Sequence, residues 1–145
     1  MLLHSELTDR IIKAFYKVYN TLGYGFLEKV YENSLALELR RLGLRVEQQQ
    51  PVDVFYEGDM VGEYFADLTV EDVVILELKA AEALHESHEA QLVNYLRATE
   101  MEVGLLLNFG PKPQFKRKVF MNDNKRVIRE NPPDPRHPRS IPDKP

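Results

Sequence analysis

Hydrophobic positions recur along the chain with two different periods, and the change of period divides it. Leu7, Ile11, Phe15, Val18, Tyr19 and Leu22 fall on one helix face at helical spacing. A helix is predicted over residues 6–22, with Ser5 as N-cap and Glu6 and Asp9 placed favourably in the first turn. Gly23-Tyr24-Gly25 breaks it. A second helix is predicted over residues 27–42. Its end, Arg40-Arg41-Leu42-Gly43-Leu44, combines a basic last turn, a glycine at C′ and an apolar residue beyond it.

From Val46 the pattern becomes β-rich. Residues 46–56 read as a strand in which Pro51 marks an edge position or a bulge. Glu57-Gly58-Asp59 is a turn, and residues 61–70 form a second strand. Residues 73–80 form a third, whose opening Val73-Val74-Ile75-Leu76 suits a central strand buried on both faces. Residues 82–99 read as a helix and Val103–Phe109 as a fourth buried strand. Residues 115–121 and 126–128 add short strands. The order α-α-β-β-β-α-β predicts an α/β domain of the α+β type, with a mixed, mainly antiparallel sheet of about four strands flanked by helices.

Length and composition narrow this. A chain of 145 residues suits one domain. Residues 131–145 hold six of the nine prolines and one large apolar residue, Ile141, so a disordered tail is expected after a folded unit of residues 1–130. Without cysteine there is no disulfide, thiolate metal site or cysteine nucleophile. No apolar run reaches the roughly 18 residues of a membrane span. The first residues lack the basic start and apolar core of an export signal, so a cytoplasmic protein is expected. The net charge of −4 hides an asymmetry: residues 1–110 carry 9 Lys/Arg against 19 Asp/Glu, and residues 111–130 carry 7 against 2. So acidic a body argues against tight nonspecific binding to long nucleic acid, while leaving local contact open.

Four groups of residues could carry chemistry. Glu77 and Lys79 are two apart on the third strand and share a face. Asp67 lies on the preceding strand, and the connecting turn decides whether it meets Glu77. A two-residue turn pairs position 67 with 76, whereas a three-residue turn pairs it with 77 and sets two carboxylates side by side. Such a pair repels itself unless a cation lies between, and its hard oxygens suit Mg²⁺ or Mn²⁺. Gln91 and Tyr95, four apart on the third helix, share a face and can donate hydrogen bonds. Glu28 and Tyr31 lie one turn apart just after the glycine break. The run His85-Glu86-Ser87-His88-Glu89 has its histidines three apart rather than four, and it reads as a solvated helix start rather than a zinc motif.

Taken in order, these residues resemble a known family. Gly25-Phe26-Leu27-Glu28-Lys29-Val30-Tyr31 matches the motif for which the GxxExxY proteins are named. The likeness continues through Gln48-Gln49-Gln50-Pro51, Ala66-Asp67-Leu68, Glu77-Leu78-Lys79-Ala80, the segment His88–Leu96 and the segment Gly104–Gly110, over residues 5–121. That family resembles a branch of the PD-(D/E)xK nucleases, whose core is α-β-β-β-α-β. Ala66 stands where the superfamily name has proline. The resemblance implies Asp67 and Glu77 as metal-binding acids, Glu28 as a third acid, and Lys79 as the lysine of the same strand. It also implies Gln91 and Tyr95 as a Q-x-x-x-Y helix motif. It implies a Mg²⁺- or Mn²⁺-dependent hydrolase of phosphodiester bonds in nucleic acid, DNA foremost, leaving a 5′-phosphate. The alternative is a catalytically weak or inactive nuclease-fold module for binding or assembly. A homodimer is expected, because a domain this small covers little of a duplex alone.

Overall fold

The computed structural model describes residues 3–125, and the expected tail and the short strand at 126–128 lie outside them. The first helix, α1 (Ser5–Leu22), buries Ile11, Ala14, Phe15 and Val18, the stripe that the periodicity marks. Its start differs from expectation. Ser5 is already helical, and the cap position falls on His4 in a left-handed conformation (φ 54°) with no side-chain cap. The hydroxyl that meets the backbone there is Thr8, donating to the Ser5 carbonyl at 3.1 Å. Helix α2 (Glu28–Arg41) buries Tyr31, Leu35 and Leu39 at intervals of four. It ends as the glycine predicts: the Gly43 N–H donates to the Arg40 carbonyl (2.9 Å) and the Leu44 N–H to the Leu39 carbonyl (3.2 Å). Gly43 has φ 84°, so the pattern is a Schellman motif.

Five strands follow in one sheet, ordered as in the sequence: β1 (Val46–Tyr56), β2 (Asp59–Val70), β3 (Val74–Lys79), β4 (Val103–Phe109) and β5 (Pro113–Val119). The fifth strand is the short one expected at 115–121, found two residues earlier, and it pairs along the whole of β4. Among the described residues, β3 and β4 are the only parallel pair, joined by α3 (Glu86–Arg97). Helix α3 starts four residues later than the pattern suggests. The buried Asn108 accounts for this: its side chain accepts from the Ala81 N–H and donates to the Ala81 carbonyl, both at 2.9 Å. The chain bends over residues 81–83 and enters the helix only after His85. Gly110 lies so close to the same segment that a Cβ would stand 1.9 Å from the Ala81 oxygen.

Strand β3 is central, as expected, and every side chain from Val74 to Leu78 is buried. Alternation sorts them between two cores. Val74, Leu76 and Leu78 join Val103, Leu105, Leu107 and Phe109 of β4 under α1 and α2. Ile75 and Leu106 face α3, with Leu92, Tyr95 and Leu96. Gly104 is required on that side, where a Cβ would come within 2.7 Å of Leu92. Each fully buried aliphatic side chain contributes about 1.5–3 kcal/mol relative to exposure.

Strand β1 is an edge, as Pro51 suggests, and the β1–β2 ribbon is also irregular. Gln49 has φ 55°, and the ladder skips from Gln48↔Leu68 to Gln50↔Ala66. Across this point the ribbon changes allegiance. Val46 and Leu68 belong to the core under α1 and α2, whereas Val52 and Ala66 belong to the core under α3. Asp67 sits opposite the irregular residue.

Candidate active site

The turn after β2 settles the open question of parity. Val70↔Val74, Thr69↔Ile75 and Leu68↔Leu76 are partners, leaving a three-residue connection of Glu71, Asp72 and Val73. Glu71 and Asp72 are both left-handed (φ 54° and 55°), a conformation that costs free energy for residues with a Cβ. Arg45 holds them. Its N–H donates to Glu71 Oε2, its carbonyl accepts from the Glu71 N–H at 2.8 Å, and its guanidinium pairs with Asp72 at 3.1 Å.

In that register the next pair is Asp67 and Glu77, where the backbone ladder stops and the carboxylates take over. The Asp67 N–H donates to Glu77 Oε2 at 2.9 Å, and the Leu78 N–H donates to Asp67 Oδ2 at 2.8 Å. The two acids are thus interleaved with each other's backbone. Burial, and then the Asp67 charge, push Glu77 up to about 8, with Lys79 pulling the other way. Burial also raises Asp67, helped by the charges of Glu32 and Glu28 and opposed by hydrogen bonds from the Leu78 N–H and Gln49. Glu77 therefore holds a proton at neutral pH when no cation is near.

Helix α2 brings a third acid to the end of β3. Glu28 Oε2 accepts from the Ala80 N–H at 3.3 Å, one residue beyond Lys79. The motif that carries Glu28 divides its labour. Tyr31 is fully buried and stacked on Phe109, with ring centroids 4.4 Å apart. Its hydroxyl donates to the Gly23 carbonyl (2.7 Å) and accepts from the Phe26 N–H (3.2 Å). Gly25 supplies φ 114° in the loop between. Tyr31 thus clamps the glycine break that sets where α2 begins, while Glu28 points to the site.

On the other side stands α3. Burial raises the Tyr95 phenol to about 12, and the charges of Glu77 and Asp67 add to the shift. Tyr95 thus stays a neutral hydrogen-bond donor at any physiological pH. Gln91, one turn earlier, lines a cleft of about 490 Å³ together with Tyr95, Tyr64 and Arg97. The structure gathers Asp67, Glu77, Lys79, Glu28 and Tyr95 at the end of β3, with Gln91 on the adjoining wall. The histidines make a helix start: the His85 N–H donates to His88 Nδ1 at 3.2 Å.

Sequence reasoning missed three residues. Glu32 is buried although charged, and its carboxylate accepts from Gln48 and Gln49 (both 2.8 Å) and pairs with Lys29 (3.1 Å). Gln49 also reaches Asp67 at 3.4 Å. These bonds tie α2 to the irregular point of β1. The signal was an acid four residues after Glu28, on the same helix face, combined with the unassigned polar run Gln48–Gln50.

The donors Asp67, Glu77 and Glu28 are hard oxygens whose crowding raises the protonation of two of them, which is the chemistry a divalent cation relieves. Among the described residues, no group of three or more His, Cys, Asp or Glu is drawn together as a ready-made cage. The acids fit an oxygen-preferring cation in kind, with Asp67 and Glu77 as its nearest pair.

Fold and site together define a mixed α/β domain with paired carboxylates and a lysine at the end of its central strand. The family model of the PD-(D/E)XK nuclease superfamily matches residues 5–118, and the chain belongs to that superfamily. The branch named for GxxExxY is not distinguished by this match. No curated protein matches. One solved structure, "Crystal structure of SSO0001", is similar at 18% identity with a TM-score of 0.45, covering 81% of this chain. The chain spans 59% of that protein's length. Among the described residues no helix is long and apolar enough to cross a membrane.

Proposed function

We propose that the protein is a Mg²⁺- or Mn²⁺-dependent hydrolase of phosphodiester bonds in nucleic acid, DNA before RNA, of the GxxExxY branch. In the same proposal it works in the cytoplasm as a homodimer, with residues 1–130 as its single domain and 131–145 as a disordered tail. The observation that carries the activity is the register of β2 and β3, which sets Asp67 against Glu77 with Lys79 on the same strand face. Membership of the superfamily supplies the class of reaction.

In this reading Asp67, Glu77 and Glu28 hold the cation. A bound divalent ion supplies the charge that lowers the pKa of water and offsets the charge developing on phosphate. Glu77 would bind such an ion as the carboxylate, its proton passing to solvent. The Lys79 ammonium orients the attacking water and counters charge on the phosphoryl oxygens. Tyr95 and Gln91 donate to the substrate phosphate; the raised pKa of Tyr95 keeps its proton in place for that role. Glu32, through Gln48 and Gln49, keeps α2 and β1 in position around Asp67.

A second reading, a nuclease-fold binding or assembly module, is favoured by one observation. Asp67 Oδ2 and Glu77 Oε2 are both engaged by backbone N–H groups, as in a structural latch. A cleavage screen with single-stranded, duplex and branched DNA and RNA, with Mg²⁺ or Mn²⁺, separates the two. Cleavage that disappears in Lys79→Ala supports the hydrolase. Cation binding with no cleavage of any substrate leaves the module.

A further inference from the structure

The cleft beside the carboxylates lies between α3 and the far half of the β1–β2 ribbon. Its floor and walls include Val54, Tyr64, Gln91, Asn94, Tyr95 and Arg97. The volume of about 490 Å³ is within the range of small-ligand sites, ~300–1,000 Å³. Its chemistry is specific. Tyr64 is 48% exposed, and its ring leans on Tyr95 at 5.8 Å and 46°. One flank of Tyr64 is therefore packed while part of the ring stays open. Asn94 accepts from Arg97 at 3.2 Å, which fixes an amide and a guanidinium together at the rim. Tyr95 belongs to both places: its ring meets Tyr64, and its phenol feels the charges of Glu77 and Asp67. Tyr95 is thus the residue that the cleft shares with the surroundings of the carboxylate pair.

From these observations we infer that the cleft is a subsite for one unpaired nucleobase, stacked on Tyr64 next to the phosphate that a cation at Asp67 and Glu77 would hold. This rests on the hydrolase reading and sharpens it, because the preferred substrate is then single-stranded nucleic acid or a frayed end rather than intact duplex. Three features support a base over another ligand. An open aromatic ring gives a stacking platform, which every base can use. Asn94 and Gln91 each offer a donor and an acceptor, the complement of a base edge. Arg97 adds a cation in a body that is otherwise strongly acidic, where a phosphate-bearing strand has few other partners. A base paired within a duplex has no free face to bring to Tyr64, so the site selects for unpaired strands. The ribbon's departure from regular pairing at Gln49 is what turns Tyr64 toward α3, since Val52, its partner across the ladder, lies in the core on that side.

The test is equilibrium binding of a fluorescent single-stranded DNA oligonucleotide with Ca²⁺, a hard cation that the same carboxylates can hold, in place of Mg²⁺ or Mn²⁺. Three proteins are compared: wild type, Tyr64→Ala and Tyr64→Phe. The same oligonucleotide with abasic sites and a blunt duplex of equal length serve as comparison ligands. Wild type is expected to prefer the single strand over both. Tyr64→Ala is expected to bind the single strand roughly 5- to 150-fold more weakly, the range that stacking of ~1–3 kcal/mol per base converts to. Tyr64→Phe, which keeps the ring, is expected to bind as wild type does. A melting curve for each variant establishes that the fold is intact, and Tyr64→Phe keeps the comparison valid if Tyr64→Ala unfolds. Equal binding of the abasic and normal strands, unchanged binding by folded Tyr64→Ala, or no binding of the single strand by wild type would each overturn the inference. The hydrolase reading fails separately: base-dependent binding with no cleavage under Mg²⁺ or Mn²⁺ retains the subsite and removes the reaction.

Discussion

The two faces of the central strand are built from alternate residues of one six-residue segment, and they obey opposite rules. Toward α1 and α2, Val74, Leu76 and Leu78 are wholly apolar and meet Phe15, Leu35 and Phe109 in a dry core. Toward α3, Ile75 is followed by Glu77 and then Lys79, and the face passes from core to site along its length. The first face is stabilised by everything it buries. The second buries a carboxyl beside another acid, which costs stability. One strand therefore anchors the fold and carries its least stable feature, and rigidity on one side is what holds the strained acids in place on the other.

Substitutions on the two faces should have effects of opposite sign. The largest expected effect is on the dry side. Leu76→Ala should destabilise the protein by about 2–5 kcal/mol, measured by urea unfolding, without removing the cation-dependent gain in stability. If it abolished that gain in a folded protein, the two faces would not be separable.

Next is Tyr31→Phe, which keeps the stack on Phe109 and removes a hydroxyl that both donates and accepts. A loss of about 1–3 kcal/mol is expected, and cation affinity should fall with it, because the clamp positions Glu28. Unchanged cation affinity would detach Glu28 from the site.

On the polar face the sign reverses. The folded state holds the Glu77 proton up to about pH 8, whereas an ordinary glutamate releases it near 4.5. Stability from this group is therefore present at low pH and is lost as pH rises through that window. Glu77→Gln, which keeps an acceptor for the Asp67 N–H, should match wild type near pH 4.5. Its melting temperature should exceed that of wild type by several degrees at pH 8, at ~3–4 °C per kcal/mol for a domain of this size. A variant less stable than wild type at pH 8 would mean that Glu77 is a structural latch. The smallest effect is expected at the β2–β3 turn. Replacing Asp72 with glycine relieves a left-handed residue and removes an exposed ion pair, so the net change should stay within about 1 kcal/mol by the same unfolding assay.

Much of the architecture was legible because burial and period agree. β1 and β4 fall on the bounds that their patterns predict, and the α2 terminus was written in Gly43. Local patterns could not specify the parity of Asp67 and Glu77. That depends on whether Val73 belongs to the strand or the turn, and Val73 is a strand-former that becomes a turn residue because Arg45, far away in sequence, holds Glu71 and Asp72. The start of α3 was misjudged for a similar reason, since Asn108 restrains Ala81 from another strand. Glu28 and Tyr31 looked like one functional pair; packing made one a ligand candidate and the other a clamp. Glu32 went unnoticed because an acid on a helix reads as solvated until two glutamines from β1 are seen to cover it.

The central claim is that Asp67 and Glu77 form a cation site rather than a structural latch. Its most direct test is the melting temperature of wild type and Glu77→Gln at pH 8, with and without saturating Mg²⁺ or Mn²⁺. The account predicts that wild type gains stability with the cation by mass action. It predicts that Glu77→Gln, already more stable without the cation, gains little or nothing. An equal cation-dependent rise in both proteins would place the cation elsewhere and contradict the account.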